Sequence, residues 1–217
     1  TASQYNVAVG HLTMDAAMNG AVKNTAVGHS SLSGITTAYN NIGIGFEAGK
    51  GLTQGSNAIY IGYQAGLLNE TGSTSIMIGN FAGDAGTDMD GCVLIGHNAG
   101  TAINANGGDN TVAIGNSALA ALTSGAGNVA IGYQALDAED AGGSSTAVGY
   151  QALSAQNNDT GSNTAVGWTA GDSIVAGYAN TLIGAESGTT GSNDLAAGIQ
   201  NTLIGQATSV SRTDATN

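Results

Sequence analysis

The stretch Asn128-Val-Ala-Ile-Gly132-Tyr-Gln-Ala-Leu136 decides the fold, because seventeen residues later the chain reads Ser145-Thr-Ala-Val-Gly149-Tyr-Gln-Ala-Leu153. A five-residue unit ending in glycine occurs twelve times, and its glycines are spaced by 18, 17, 17, 17, 17, 19, 17, 17, 18, 17 and 21 residues. A near-constant period of this kind is the signature of a repeat architecture. We number each repeat so that Asn128 holds position 1, Gly132 position 5 and Leu136 position 9.

Positions 2 to 4 are rich in β-branched residues, and the period is too short for the common helical repeats. Polar connectors rich in Gly, Asn and Ser complete each repeat and are typical of turns. Each repeat therefore reads as strand, tight turn, short strand and loop. The sequence predicts an all-β, parallel β-solenoid of about 12 rungs of about 17 residues, stacked about 4.8 Å apart in a rod on the order of 50 Å long.

The composition excludes several classes of protein. Of the 217 residues, 36 are glycine and none is proline, and three Lys or Arg stand against fifteen Asp or Glu, giving a formal charge of −12. Nucleic acid and anionic lipid need clustered basic residues, so neither is an expected partner. No apolar run reaches the roughly 18 residues of a membrane span, so we expect no membrane insertion. A proline in any interior rung would remove a hydrogen bond from the ladder, which explains the absence of proline.

Stacking turns each position of the repeat into a column. Positions 2 and 4 lie on one face of the strand, and position 3 lies on the other and is also apolar. Because a single solenoid has one interior, we expect the position-3 column to meet its copies on the axis of a symmetric homo-oligomer. The alternative is that position 3 packs against the connector loops of its own chain. The predicted axis column consists of Ala8, Ala26, Gly43, Tyr60, Met77, Leu94, Ala113, Ala130, Ala147, Ala165, Leu182 and Leu203.

Position 1 is a column of asparagines, interrupted by residues such as Cys92. Stacked asparagines can satisfy turn carbonyls and amides along a ladder, so we predict a structural role for them. Cys92 shares the column and is expected to be a buried, unreactive thiol. The predicted ladder consists of Asn6, Asn24, Asn41, Asn128, Asn163, Asn180 and Asn201.

Position 6 carries all three histidines together with several aromatic residues. A metal site would need histidines converging with carboxylates, but His29 and His97 lie four rungs apart, about 19 Å at the stacking repeat. We therefore expect stacked rings and no metal, cofactor or catalytic site. The acidic loops around Asp88 and Asp140 are expected to solubilise the rod and at most to bind Ca²⁺ weakly.

The repeated Asn-Thr-Ala-Val-Gly-x-x-Ala-Leu/Gly motif resembles the head repeats of trimeric autotransporter adhesins, and it looks still more like the β-roll repeats of phage and viral tail fibres. The resemblance runs from Asn6 to Gln206. It implies a parallel left-handed β-roll, three chains around a central axis, and attachment to a surface. The period is longer than that of the typical adhesin head repeat, which favours the fibre.

The sequence predicts one repeat domain over residues 1–217, expected to be a fragment of a longer fibre, with a degenerate rung near 188–200. The expected function is a structural or adhesive segment of a homotrimeric fibre on a virion or outside a cell, contacting a host glycan or protein. A bacterial adhesin head on the outer surface is the second hypothesis. An ice-binding solenoid is more remote, because the threonine column is interrupted. A glycan-cleaving enzyme, using acids such as Asp137 and Glu139, is not expected.

Overall fold

A computed structural model describes residues 3–104, 107–189 and 195–209. The described chain contains twelve three-residue strands and no helix. Each strand starts one rung of the same number. The strands are β1 Val7–Val9, β2 Thr25–Val27, β3 Ile42–Ile44, β4 Ile59–Ile61, β5 Ile76–Ile78, β6 Val93–Ile95, β7 Val112–Ile114, β8 Val129–Ile131, β9 Thr146–Val148, β10 Thr164–Val166, β11 Thr181–Ile183 and β12 Thr202–Ile204.

All twelve strands form one parallel sheet in which every strand pairs with its neighbours along the sequence. The repeats stack in register, so that position 3 of β8, Ala130, lies beside position 3 of β9, Ala147. Backbone hydrogen bonds join the rungs on both sides of each strand, as in Val129 N–H to Ser145 O and Gly132 N–H to Ile114 O, both 2.8 Å. The prediction of an all-β, parallel solenoid is confirmed.

The second short strand predicted after each glycine is wrong, because positions 6 to 9 form a turn. In rung 8, Gln134 has a φ of 51° and Leu136 a φ of 52°. Residues at positive φ lie outside the extended region and reverse the chain. The turn nevertheless keeps hydrogen bonds to both neighbouring rungs, from Gln134 N–H to Asn116 O and from Leu136 N–H to Ala152 O.

The glycine at position 5 is fixed by the closeness of the next rung. Gly132 has a φ of +138°, and a Cβ built on it would lie 2.2 Å from the carbonyl oxygen of Gly149. Side chains rarely adopt this φ, and no real Cβ approaches an oxygen so closely. The invariance of glycine at position 5 therefore follows from the stacking distance.

The position-3 column lies inside the chain's own core, so its assignment to an axis between chains is wrong. Ten of its twelve members, from Ala26 to Leu182, are buried within the single chain, Leu203 is 8% exposed, and Ala8 in the end rung is exposed.

Position 3 packs against the turn and loop of its own chain, which was the alternative. A Cβ on Gly43 would meet Ser31 and Leu32 at positions 8 and 9. Tyr60 accepts a hydrogen bond from Asn69 at position 12. The strand is three residues long, so its central side chain is the one that points into the narrow interior.

Side-chain size at position 3 is compensated at position 9. Tyr60, Met77 and Leu94 each share a rung with glycine at position 9, whereas alanine at position 3 shares rungs 7 to 9 with leucine. A Cβ on Gly66 would lie 2.2 Å from the Tyr60 ring. No rung carries a large side chain at both positions, although rungs 3 and 10 carry small residues at both. A limit of one large side chain per rung is the behaviour of a close-packed core.

This compensation predicts the outcome of a swap in rung 8. Ala130→Leu alone should overpack the core and lower the free energy of unfolding by about 1–3 kcal/mol. Adding Leu136→Gly should restore most of that loss, because the pair then matches rung 6 and glycine tolerates the positive φ at position 9. Chemical denaturation of both variants measures the effect. If the single variant were neutral and the double variant less stable, position 3 would not face the core.

Candidate functional surface

The strand face is the outward side of the sheet, formed by positions 2 and 4 of every rung. Its side chains are half-buried or exposed in every rung, whereas position 3 between them is buried in every rung except the first. Ile131, for example, is 37% exposed. Position 2 carries Val, Ile or Thr and position 4 carries only Val or Ile. The strand face is thus an apolar strip twelve rungs long, larger than the patches that monomeric proteins usually expose.

The outward apolar face lies at positions 2 and 4, and its prediction at position 3 is wrong. Position 4 is where the exposure is concentrated. Its members are Val9, Val27, Ile44, Ile61, Ile78, Ile95, Ile114, Ile131, Val148, Val166, Ile183 and Ile204. The signal that identifies the interior is the size compensation between positions 3 and 9, since only columns that touch inside one chain need to compensate.

A ring ladder runs along one edge of the strand face at position 6. His29 and Phe46 stack with ring centroids 5.1 Å apart, Phe46 and Tyr63 at 5.2 Å, and Tyr133 and Tyr150 at 5.1 Å. The stacking predicted for this column is therefore present in these rungs. Offset aromatic pairs add stability beyond the area that they bury.

Position 6 is asparagine in rung 5, and there the ladder continues through the neighbouring position 7. The ring of Phe81 contacts Tyr63 on one side at 5.2 Å and His97 on the other at 6.1 Å, both edge-on. His97 is thus held by an aromatic neighbour. Among the residues that the structure describes, no three His, Cys, Asp or Glu side chains are grouped to hold a metal ion.

The asparagine column fixes the rungs from inside. Asn128 Oδ1 accepts a 2.9 Å hydrogen bond from the backbone N–H of Ser145 in the next rung, and its Nδ2 donates to Gly142 O at 2.8 Å. Asn24 and Asn41 make the same pair of bonds, to the next rung and to a loop carbonyl. Cys92 in this column is buried, and burial raises the pKa of its thiol.

Glu139, one of the acids considered for catalysis, is buried and has a structural environment. Its Oε1 accepts a hydrogen bond from Gly142 N–H at 2.6 Å, and its Oε2 accepts one from Gln156 Nε2 at 2.6 Å. The side-chain Oε1 of Gln156 in turn accepts a hydrogen bond from Asn163 Nδ2 at 2.7 Å. Both carboxylate oxygens are therefore used to tie a loop to the next rung.

Two acids of rung 5, half-buried Asp88 and exposed Asp90, also bond to the neighbouring rung. Asp88 accepts a 2.9 Å hydrogen bond from the Thr71 hydroxyl, and Asp90 accepts one of 2.6 Å from Ser73 N–H. These contacts give Asp88 and Asp90 a structural role. Partial burial raises the pKa of Asp137, the other acid considered for catalysis.

No family model, curated protein or solved structure matches the chain. The described residues contain no helix long and apolar enough to cross a bilayer. The fold and the strand face thus stand on the geometry of the chain itself.

The asparagine ladder predicts opposite outcomes for two substitutions at position 1. Asn128→Leu removes the partners of Ser145 N–H and Gly142 O, so it should lower the free energy of unfolding by about 1–3 kcal/mol for each buried group left unpaired. Thr111 in the same column is buried, and its hydroxyl has no hydrogen-bond partner. Thr111→Val should therefore be neutral or stabilising. Thermal denaturation of both variants tests the contrast, and equal losses would contradict it.

Proposed function

We propose that the chain is a structural and adhesive segment of a homotrimeric extracellular fibre of the viral tail-fibre type. The observation that carries the proposal is the strand face, an exposed apolar strip along the whole described rod. Burying apolar surface contributes about 25 cal/mol per Å², so a strip of this length favours association. The proposed role is mechanical and adhesive, and it includes no catalysis, cofactor or metal.

A closed symmetric assembly is the arrangement that covers the strand face completely. Identical rods lying side by side around an axis parallel to their length place each strand face against its copies, and rotational closure leaves no strip exposed. The resemblance of the repeats to those of trimeric fibres and adhesins supports three copies. The loops rich in Asp, Asn and Gly then form the outer surface, where contact with a host glycan or protein is proposed.

A bacterial adhesin head is the second candidate, with the same trimer on the outer surface of a cell. Both candidates share the interface, and they differ in what flanks the repeats. The order of preference rests on the repeat period of about 17 residues, which supports the fibre.

Ice binding is a more remote candidate, and one observation supports it. Thr146, Thr164, Thr181 and Thr202 pair in register at position 2 of four successive rungs on the outward face. Elsewhere this column is mostly Val or Ile. Thermal hysteresis in a freezing-point measurement would favour this candidate, and its absence would remove it.

The trimer predicts how a charge on the strand face acts. Sedimentation and native mass spectrometry of the chain should give three times its 21.1 kDa mass. Ile131→Lys should dissociate the assembly and leave the circular dichroism spectrum of the chain unchanged. The reason is that Ile131 is exposed within each chain but would be buried between chains in the trimer, where a lysine would be an unpaired buried charge. Ala138→Lys, in the same rung at position 11, is the matched control and should remain trimeric. A folded monomer for the unaltered chain would refute the trimer.

A further inference from the structure

A groove lies on the turn side of rungs 2 to 4, away from the strand face. It is an open groove with a volume of about 410 Å³, within the range typical of small-ligand sites. Its lining comes from positions 7, 10 and 11 and includes none of positions 2, 4 or 6. The residues that shape it are Gly34, Glu47, Lys50, Gly51, Leu67 and Leu68.

The apolar wall of the groove is not explained by the core of the solenoid. Leu68 is 48% exposed, and Leu67 is half-buried. In rungs 5 to 9 the same two positions carry only small or polar pairs, such as Asp84 with Ala85 and Asp137 with Ala138. Two adjacent leucines therefore stand outside the packed interior at a single place on the turn side.

The polar edge of the groove is an ion pair between Lys50 and Glu47. Lys50 Nζ lies 2.7 Å from Glu47 Oε1, and Gln64 Nε2 donates to Glu47 Oε2 at 2.7 Å. The hydrogen bond from Lys50, followed by that from Gln64, lowers the pKa of Glu47, so this carboxylate is ionised at neutral pH. The pair of Lys50 and Glu47 is the one ion pair among the described residues. The whole chain has only three Lys or Arg.

These features select the chemistry of a ligand. The leucine wall fits an apolar ring face, while the ammonium and the carboxylate offer a donor and an acceptor side by side for neighbouring hydroxyl groups. The pair is neutral as a whole, and the chain carries a formal charge of −12, which disfavours anions. A neutral pyranose, with hydroxyls on its rim and C–H groups on its face, meets all three conditions.

We propose that the groove is a subsite for a neutral sugar ring, with Leu67 and Leu68 packing on its C–H face and Lys50 and Glu47 binding adjacent hydroxyls. The inference deepens the attachment role proposed above. Since no lining residue belongs to the strand face or the ring ladder, the groove stays accessible when three chains associate through the strand face.

Saturation-transfer NMR and titration calorimetry on the whole chain test the subsite. The probes are the methyl glycosides of mannose, galactose and N-acetylglucosamine, with that of N-acetylneuraminic acid as the anionic comparison. At least one neutral glycoside should bind, and the acidic glycoside should bind more weakly. Leu68→Ser and Lys50→Gln should each weaken binding about tenfold or more, a change of about 1.4 kcal/mol. Ala138→Ser, at position 11 of rung 8, is the control and should bind normally.

Binding confined to the acidic glycoside, no binding of any neutral glycoside, or binding unchanged by both variants would overturn the subsite. Circular dichroism verifies that the variants fold, and the conservative Leu68→Ala provides a second measurement if Leu68→Ser does not. The mass of the same samples separates the two proposals. A trimer that binds no neutral glycoside contradicts the subsite alone, and a monomer that binds one through the groove contradicts the trimer alone.

Discussion

In-register stacking of parallel backbones about 4.8 Å apart is the constraint on which every other feature of this solenoid depends. Strands, turns and loops all contribute hydrogen bonds between rungs. Proline has no N–H to give to such a ladder, and the chain has none. At Gly132 the next rung leaves no room for a Cβ, and at Asn128 the side chain bridges to the next rung. Composition, motif and fold thus have a common cause.

The same constraint makes the core narrow and the outside large. Three-residue strands point one side chain inward, so positions 3 and 9 together hold at most one large residue per rung, as Tyr60 and Gly66 do. The two flanking side chains of each strand point outward, and their apolar character does not contribute to the core of one chain. Association of the strand faces would bury these side chains between chains. The turn side, with its loops and groove, would then make the contacts with other molecules.

Periodicity predicts the number of rungs, their parallel pairing and their register, because these depend only on repeated glycines and β-branched residues. Periodicity does not predict which face of the strand points into the core, because alternation separates the side chains into two faces and both of them are apolar. The size compensation between Tyr60 and Gly66, or between Ala130 and Leu136, carries that information. The prediction of a second strand is wrong because residues such as Gln134 take a positive φ. A positive φ at a residue other than glycine has no clear signal in the sequence. The groove is lined by residues from three successive rungs, such as Gly34, Lys50 and Leu68, so no single repeat predicts it.

Hydrogen exchange of individual backbone amides tests the stacking most directly, because it reads the ladder without altering the chain. If the rungs stack in register, slow exchange should recur with the period of about 17 residues. The protected amides should include those that bond across rungs, such as Ile59, Gly62 and Gln64, with the end rung at Val7 less protected than the interior. Protection in long continuous blocks, or protection without this period, would contradict a chain held together rung by rung.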